Sequence, residues 1–161
     1  MTPTERYQAD VASGKVTRDP EQTRVIGHLT DLCRGLQEKA KPVHETWLQR
    51  LIYAVREKVT APVPLQGMYL WGGVGRGKTY LMDLFFASVE DSSKLRTHFH
   101  RFMQDVHSRL VTLQGITDPL EAIADELAER ATLICFDEFY VSDIGDAMLL
   151  GGLLKLSLIH I

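Results

Sequence analysis

Residues 68–79, Met-Tyr-Leu-Trp-Gly-Gly-Val-Gly-Arg-Gly-Lys-Thr, constrain this chain more than any other stretch. A short apolar run leads into glycines and then into the apolar, helix-forming residues 80–87. That order predicts a strand, a tight loop and a helix. Residues 72–79 match G-x-x-x-x-G-K-[ST]. Glycine lets the backbone curl until its N–H groups point inward at phosphate oxygens, and the N-terminus of the following helix adds positive field. Gly72, Gly73, Val74, Gly75, Arg76 and Gly77 would form the cradle. Lys78 would reach the β- and γ-phosphates of a nucleotide, and Thr79 would turn its hydroxyl toward the Mg²⁺ that bridges them.

A second chemical element is Thr-Leu-Ile-Cys-Phe-Asp-Glu at residues 132–138, an apolar strand ending in two adjacent carboxylates. In an open parallel sheet ligands gather at the carboxyl ends of strands, so Asp137 and Glu138 are expected on the same edge as the phosphate loop. Asp137 is then placed to hold the hydration shell of Mg²⁺. Glu138 is placed to orient and deprotonate a water that attacks the γ-phosphate. Lys78 and Glu138 are thus the expected catalytic pair, with Thr79 and Asp137 on the metal. Without the phosphate loop the acidic pair would read as a solvated strand end.

The 161 residues, 45% hydrophobic, allow one domain of ordinary size. Lys and Arg number 18 against 21 Asp and Glu, a net charge of −3 with no basic run, which argues against a dedicated nucleic-acid binder. The first residues lack the basic-then-apolar pattern of a signal peptide, and no apolar stretch approaches the length of a membrane span, so a cytoplasmic location is expected. Cys33 and Cys135 have no metal-ligand spacing and read as small buried residues in a reducing compartment.

Along the chain, a weakly helical start breaks at Ser13-Gly14-Lys15, and Asp19-Pro20-Glu21-Gln22 starts a helix with Asp19 as cap and Gln22 at the capping-box position. Val25, Leu29, Leu32 and Leu36 follow at helical spacing. A second helix is expected from about His44 to Val59, with Trp47 in its apolar stripe, and Pro62 and Pro64 then stiffen a connector. The helical preface could wall an adenine pocket, face a partner or simply pack. Further strands are expected near residues 68–71 and 95–100, parallel to the one at 132–136. His98 and His100 would share a face of the middle strand, a two-point metal arrangement with no third ligand in view. Residues 102–114 read as a helix closed by Gly115, on which His107 has no evident task. Asp118-Pro119-Leu120-Glu121 repeats the capping logic of residues 19–22 and starts another helix through Ile123 and Leu127.

With both elements on the page, the chain resembles the AFG1-like family of P-loop ATPases, related to the AAA+ group. The resemblance rests on residues 67–79 with Leu81-Met82-Asp83-Leu84-Phe85, on His98-Phe99-His100-Arg101-Phe102-Met103, and on Cys135-Phe136-Asp137-Glu138-Phe139 with Ser142-Asp143-Ile144 and Asp146-Ala147-Met148. It implies an α/β fold, a parallel sheet flanked by helices, with ATP on residues 72–79 and Asp137 and Glu138 as the Walker B pair. Bacterial members are associated with the division ring, where they act on FtsZ filaments in the presence of ATP. The resemblance divides the chain into a helical extension over residues 1–65, the first part of the ATPase core over residues 66–155, and a tail over residues 156–161. That tail, Leu-Ser-Leu-Ile-His-Ile, departs from the family pattern and resembles a translated transposase-type sequencing adaptor. The core is therefore expected to be incomplete at its C-terminal side. The family's sensor residue, the arginine serving a neighbouring subunit and the surfaces of a homo-oligomer would lie beyond it, and a sheet edge would be left bare.

Two other classes stay open at this stage. A nucleotide-dependent loader or motor on nucleic acid would show ATPase stimulation by single strands, against which the missing basic stripe argues. A nucleotide-binding adaptor would bind without turnover.

Overall fold

The computed structural model describes residues 1–40, 65–90 and 93–160. The expected helix from His44 to Val59, Trp47 and the Pro62/Pro64 connector lie outside the described residues. The chain divides into two compact units, Met1–Glu90 and Asp91–Ile161.

In the first unit, α1 (Pro3–Ala12) begins with a capping box that the sequence analysis did not single out. Thr2 Oγ1 accepts from the Glu5 N–H at 3.2 Å while the Glu5 carboxylate accepts from the Thr2 N–H at 2.9 Å. The helix stops at Ser13 and Gly14, where the chain reverses through positive φ. In α2 (Pro20–Ala40), Asp19 Oδ1 accepts from the N–H groups of Glu21 and Gln22, as expected of the cap. Gln22, however, does not close a capping box: its side chain leaves the helix start for the loop at Arg76. The buried stripe is Ile26, Leu29 and Cys33, one position round the helix from the expected Val25, Leu32 and Leu36, which are half-buried. It packs with Tyr7 of α1 and with Leu81, Leu84 and Phe85 of α3 (Lys78–Ser88) in the core of this unit.

Residues 65–73 carry no regular secondary structure, so the strand expected at 68–71 is not formed. Tyr69 and Trp71 are 64% and 84% exposed. A strand exists only through hydrogen bonds to a neighbour, and the described residues of this unit supply no strand to pair with; four apolar residues alone do not create one.

The second unit holds a parallel pair, β1 (Lys94–His98) against β2 (Leu133–Asp137), the two strands of the described residues where three were expected. A parallel pair requires a crossover, here α4 (Phe99–Thr112) and α5 (Pro119–Arg130). The expected strand at 95–100 ends early: α4 starts at Phe99 because Phe99, Phe102, Met103 and Val106 recur at helical spacing and bury one continuous face. His98 and His100 therefore do not share a strand face; one precedes the helix and the other lies on its first turn, rings stacked at 5.8 Å. Asp118 starts α5 without a side-chain cap, since its backbone is left-handed (φ 59°) and its carbonyl serves the N–H groups of Glu121 and Ala122 instead.

A helix that the sequence analysis did not assign, α6 (Ile144–His160), completes the unit. Asp143 Oδ1 accepts from the N–H groups of Gly145 and Asp146 at its start. Leu150 and Leu153 join Ile123, Ala124 and Leu127 of α5 and the α4 face in one core. Gly152 makes this approach feasible, because a Cβ there would lie 2.5 Å from Leu120 Cδ2. Phe136, on the inner face of β2, meets Phe99, Phe102 and Phe139 at centroid distances of 5.8, 4.9 and 6.0 Å. Phe99, 2% exposed, is the hub of that cluster. Phe99→Ala is expected to cost about 3–5 kcal/mol in urea unfolding of this unit.

Candidate functional site

The phosphate-loop residues lie in the first unit. Gly75 and Gly77 adopt φ of 80° and 79°, conformations that side-chain-bearing residues rarely hold. Gly77 is the residue before α3 and offers no side-chain cap, so the first N–H groups of that helix face outward without a competing carboxylate or hydroxyl from the cap position. Lys78 folds back over the loop: its Nζ donates to the carbonyls of Gly72 at 2.8 Å and Gly73 at 2.7 Å. The loop thus binds its own ammonium with carbonyl dipoles, and an anion entering the loop offers that ammonium a full negative charge in exchange. Thr79 is exposed on the first turn of α3, as are Val74 and Arg76 in the loop.

The loop is buttressed from behind by α2. Gln22 Nε2 donates to the carbonyl of Arg76 at 3.3 Å, and a Cβ at Gly77 would lie 2.8 Å from the same Nε2. Gly77 is required for its φ, while the amide packed on it is the end of a flexible side chain that can swing aside. Beside this contact opens a cleft of about 380 Å³ lined by Val16, Thr17, Arg18, Asp19, Gln22, Gly77 and Tyr80. Its far wall is fixed by Tyr80, whose hydroxyl donates to Asp10 Oδ2 at 2.9 Å, with Lys15 Nζ on the same carboxylate at 3.2 Å. Tyr80 follows Thr79 directly, so α1 is tied to the first turn of α3.

Asp137 and Glu138 lie in the second unit, at the carboxyl end of β2 as expected. Asp137 is half-buried and gripped by Arg96 of β1, Nε to Oδ2 at 2.7 Å and Nη2 to Oδ1 at 3.1 Å. Glu138 is exposed and takes φ 53°, a left-handed backbone costing about 1–2 kcal/mol for a residue with a Cβ. Its neighbours hold it there: Asp137 through Arg96, Phe139 through its ring at 4.7 Å from Phe99. Cys135 is buried, and burial, foremost, pushes its thiol up to about 11, with the Asp137 carboxylate adding to the shift; it is a neutral packing residue at pH 7. Cys33 is buried as well, stands in no disulfide, and donates its Sγ–H to the Ser88 carbonyl at 3.6 Å.

Thr79 in the first unit carries a hydroxyl and Asp137 in the second a carboxylate, each an oxygen donor of the type Mg²⁺ takes, and no group of three or more His, Cys, Asp or Glu able to hold a metal by itself occurs among the described residues. Mg²⁺ keeps most of its waters and leans on substrate phosphates, needing few protein ligands. Gln22, Tyr80, Asp10 and Arg96 were not read as site residues from the sequence. Gln22 was read as part of a helix cap, and Arg96 meets Asp137 only through the parallel register of β1 and β2. No helix of the described residues is long and apolar enough to cross a membrane.

The Tyr80–Asp10 link has a pH signature. Burial, first, and the Asp10 hydrogen bond raise the Tyr80 phenol above its ordinary 10.0, while Tyr80, first, and Lys15 hold Asp10 below its ordinary 3.8. Folding favours the protonated phenol, so its contribution is full below pH 10 and lost as pH rises further. Folding favours the ionised Asp10, whose contribution is present above its ordinary value and lost as pH falls through the lowered one. Tyr80→Phe is expected to flatten the alkaline limb and shallow the acid limb of unfolding midpoint against pH, measured from pH 3 to 11.

A family model described as AFG1-like ATPase matches residues 1–159. The cell division protein ZapE of Escherichia coli K12 is 46% identical over 159 residues, covering 96% of this chain and 42% of that protein. Lactation elevated protein 1 homolog B of Danio rerio is 46% identical over 111 residues, 62% of this chain and 22% of the relative. An uncharacterised protein of Schizosaccharomyces pombe is 33% identical over 180 residues, 96% and 40% of the two chains. The chain thus spans about two-fifths of the length of the relatives it matches most extensively. No solved structure matches.

Proposed function

Since the chain belongs to the AFG1-like ATPase family, we propose that it carries the nucleotide-binding half of a Mg²⁺-dependent ATPase of the ZapE type, coupling nucleotide state to a division-ring partner such as FtsZ filaments. The observation that supports this best is the phosphate loop itself: left-handed glycines at 75 and 77, an uncapped helix behind them, and Lys78 parked on two loop carbonyls. The partner rests on the relationship to ZapE, which is named a cell division protein.

In this reading the N–H groups of residues 72–79 take the phosphate oxygens, and Lys78 exchanges the Gly72 and Gly73 carbonyls for the β- and γ-phosphates. The nucleoside lies toward the cleft of Val16, Asp19, Gln22 and Tyr80, next to Gly77. Thr79 and Asp137 would hold Mg²⁺, which would supply charge neutralisation on the transferring phosphoryl group. Glu138 accepts a proton from the attacking water as its oxygen bonds to the γ-phosphorus; the bond from the γ-phosphorus to the bridging oxygen breaks, and ADP leaves with that electron pair. An exposed, unbonded carboxylate on a strained backbone suits this task, because nothing need be broken before it meets the water.

The test is made on the protein expressed from its whole reading frame, with a fluorescent ATP analogue for binding and phosphate release for turnover. Lys78→Ala is expected to abolish tight binding. Glu138→Gln is expected to bind normally and turn over about 10²- to 10⁴-fold more slowly. Binding without turnover by the unsubstituted protein would instead favour an adaptor. Stimulation by single-stranded nucleic acid would favour a loader or motor.

A further inference from the structure

We infer that Arg96 is a positioning residue for the metal: its guanidinium fork holds the Asp137 carboxylate in the orientation in which it takes the hydration shell of nucleotide-bound Mg²⁺. This rests on the reading of Asp137 as a metal-side carboxylate. The register supplies the geometry. Arg96 stands opposite Cys135, and Asp137 opposite His98, so Arg96 and Asp137 are diagonal neighbours on one face of the parallel pair. A long side chain spans that diagonal, and both N–H···O bonds of the fork are made, at 2.7 and 3.1 Å. Cys135, opposite Arg96 on the same face, is small, buried and neutral at pH 7 and does not compete for the guanidinium.

A carboxylate has about four lone-pair positions, and the fork takes one on each oxygen. One on each oxygen is left to accept from metal-bound water. The carboxylate group, otherwise free to rotate about a soft torsion, is fixed in plane before the metal arrives. Neutralisation is the opposing effect: a guanidinium beside Asp137 lowers its pull on a cation. The pair is only about a quarter exposed, 27% and 21%, so solvent screens that charge in part, and Arg96→Lys, which keeps the charge and loses the fork, separates orientation from it.

The experiment measures affinity for a fluorescent ATP analogue in EDTA and along a Mg²⁺ titration, on the whole protein and its Arg96→Ala, Arg96→Lys and Asp137→Asn variants. Arg96→Ala is expected to leave the EDTA affinity unchanged and to raise the Mg²⁺ concentration for half-maximal tightening about 10- to 100-fold. Arg96→Lys, which keeps the charge but cannot fork, is expected to fall between the two. An unchanged or lowered Mg²⁺ requirement in Arg96→Ala, with Asp137→Asn shifted, overturns the role given to Arg96 and leaves that of Asp137 standing. Arg96→Lys equal to the unsubstituted protein shows that charge alone matters and overturns it too. An Asp137→Asn variant with unshifted Mg²⁺ dependence overturns the reading of Asp137, and the inference with it. Arg96→Lys also guards against misfolding, since a lysine stem of similar length fills the same quarter-exposed site.

Discussion

The pairing register of β1 against β2 is the constraint on which the second unit depends. Because side chains alternate, Lys94 opposite Leu133 sets everything after it: Phe136 turns into the aromatic cluster with Phe99 and Phe102, and Asp137 turns to the other face beside Arg96. A slip of one residue would drive the carboxylate into the core and the phenylalanine out of it. The apolar cost of that exchange fixes the register, and the register fixes which carboxylate meets the guanidinium. Core packing and site geometry are here one decision.

The first unit solves a different problem. A glycine-rich loop has little of its own to hold it, since glycine loses more conformational freedom on ordering than any other residue. Support comes from helices on either side: α2 lends Gln22 to the Arg76 carbonyl, and α1 reaches the first turn of α3 through Asp10 and Tyr80. Both braces touch residues flanking Lys78 and leave the mouth of the loop open. At Gly73 and Gly75 an added Cβ would meet nothing within 4 Å, whereas at Gly77 it would strike Gln22. The loop is braced where α2 backs it and open at Gly73 and Gly75.

Much of this was legible in the sequence where local chemistry decides. The start of α2 at Asp19-Pro20, the stop at Ser13-Gly14, the apolar faces of α4 and α5 and the strand ending at Asp137 follow from spacing and caps. Three kinds of feature were not. The strand expected at residues 68–71 depends on a partner, and propensity cannot supply hydrogen bonds. The braces on the site depend on residues far apart in sequence: Gln22 looked complete as a cap, Arg96 looked like one more alternating strand residue, and Gly152 gave no sign that Leu120 would need its space. Nor was α6 assigned, though Asp143 caps it, because residues 144–160 are apolar nearly all round and show no helical stripe to read.

Glu138 shows how strain and legibility are connected. Nothing in Phe136-Asp137-Glu138-Phe139 announces a left-handed residue, and glutamate is a poor choice for one. The conformation persists because both neighbours are pinned for their own reasons, Asp137 by the charge pair across the strands and Phe139 by the ring of Phe99. The chain leaves β2 under tension between two anchors, and the residue between them has no route back into the strand. A glycine would sit there at lower cost, yet it would carry no carboxylate. The fold thus spends part of its stability, about 1–2 kcal/mol, on holding an acid out in the open at the end of a strand. The strain follows from the two anchors, and its consequence is a carboxylate left exposed at the strand end.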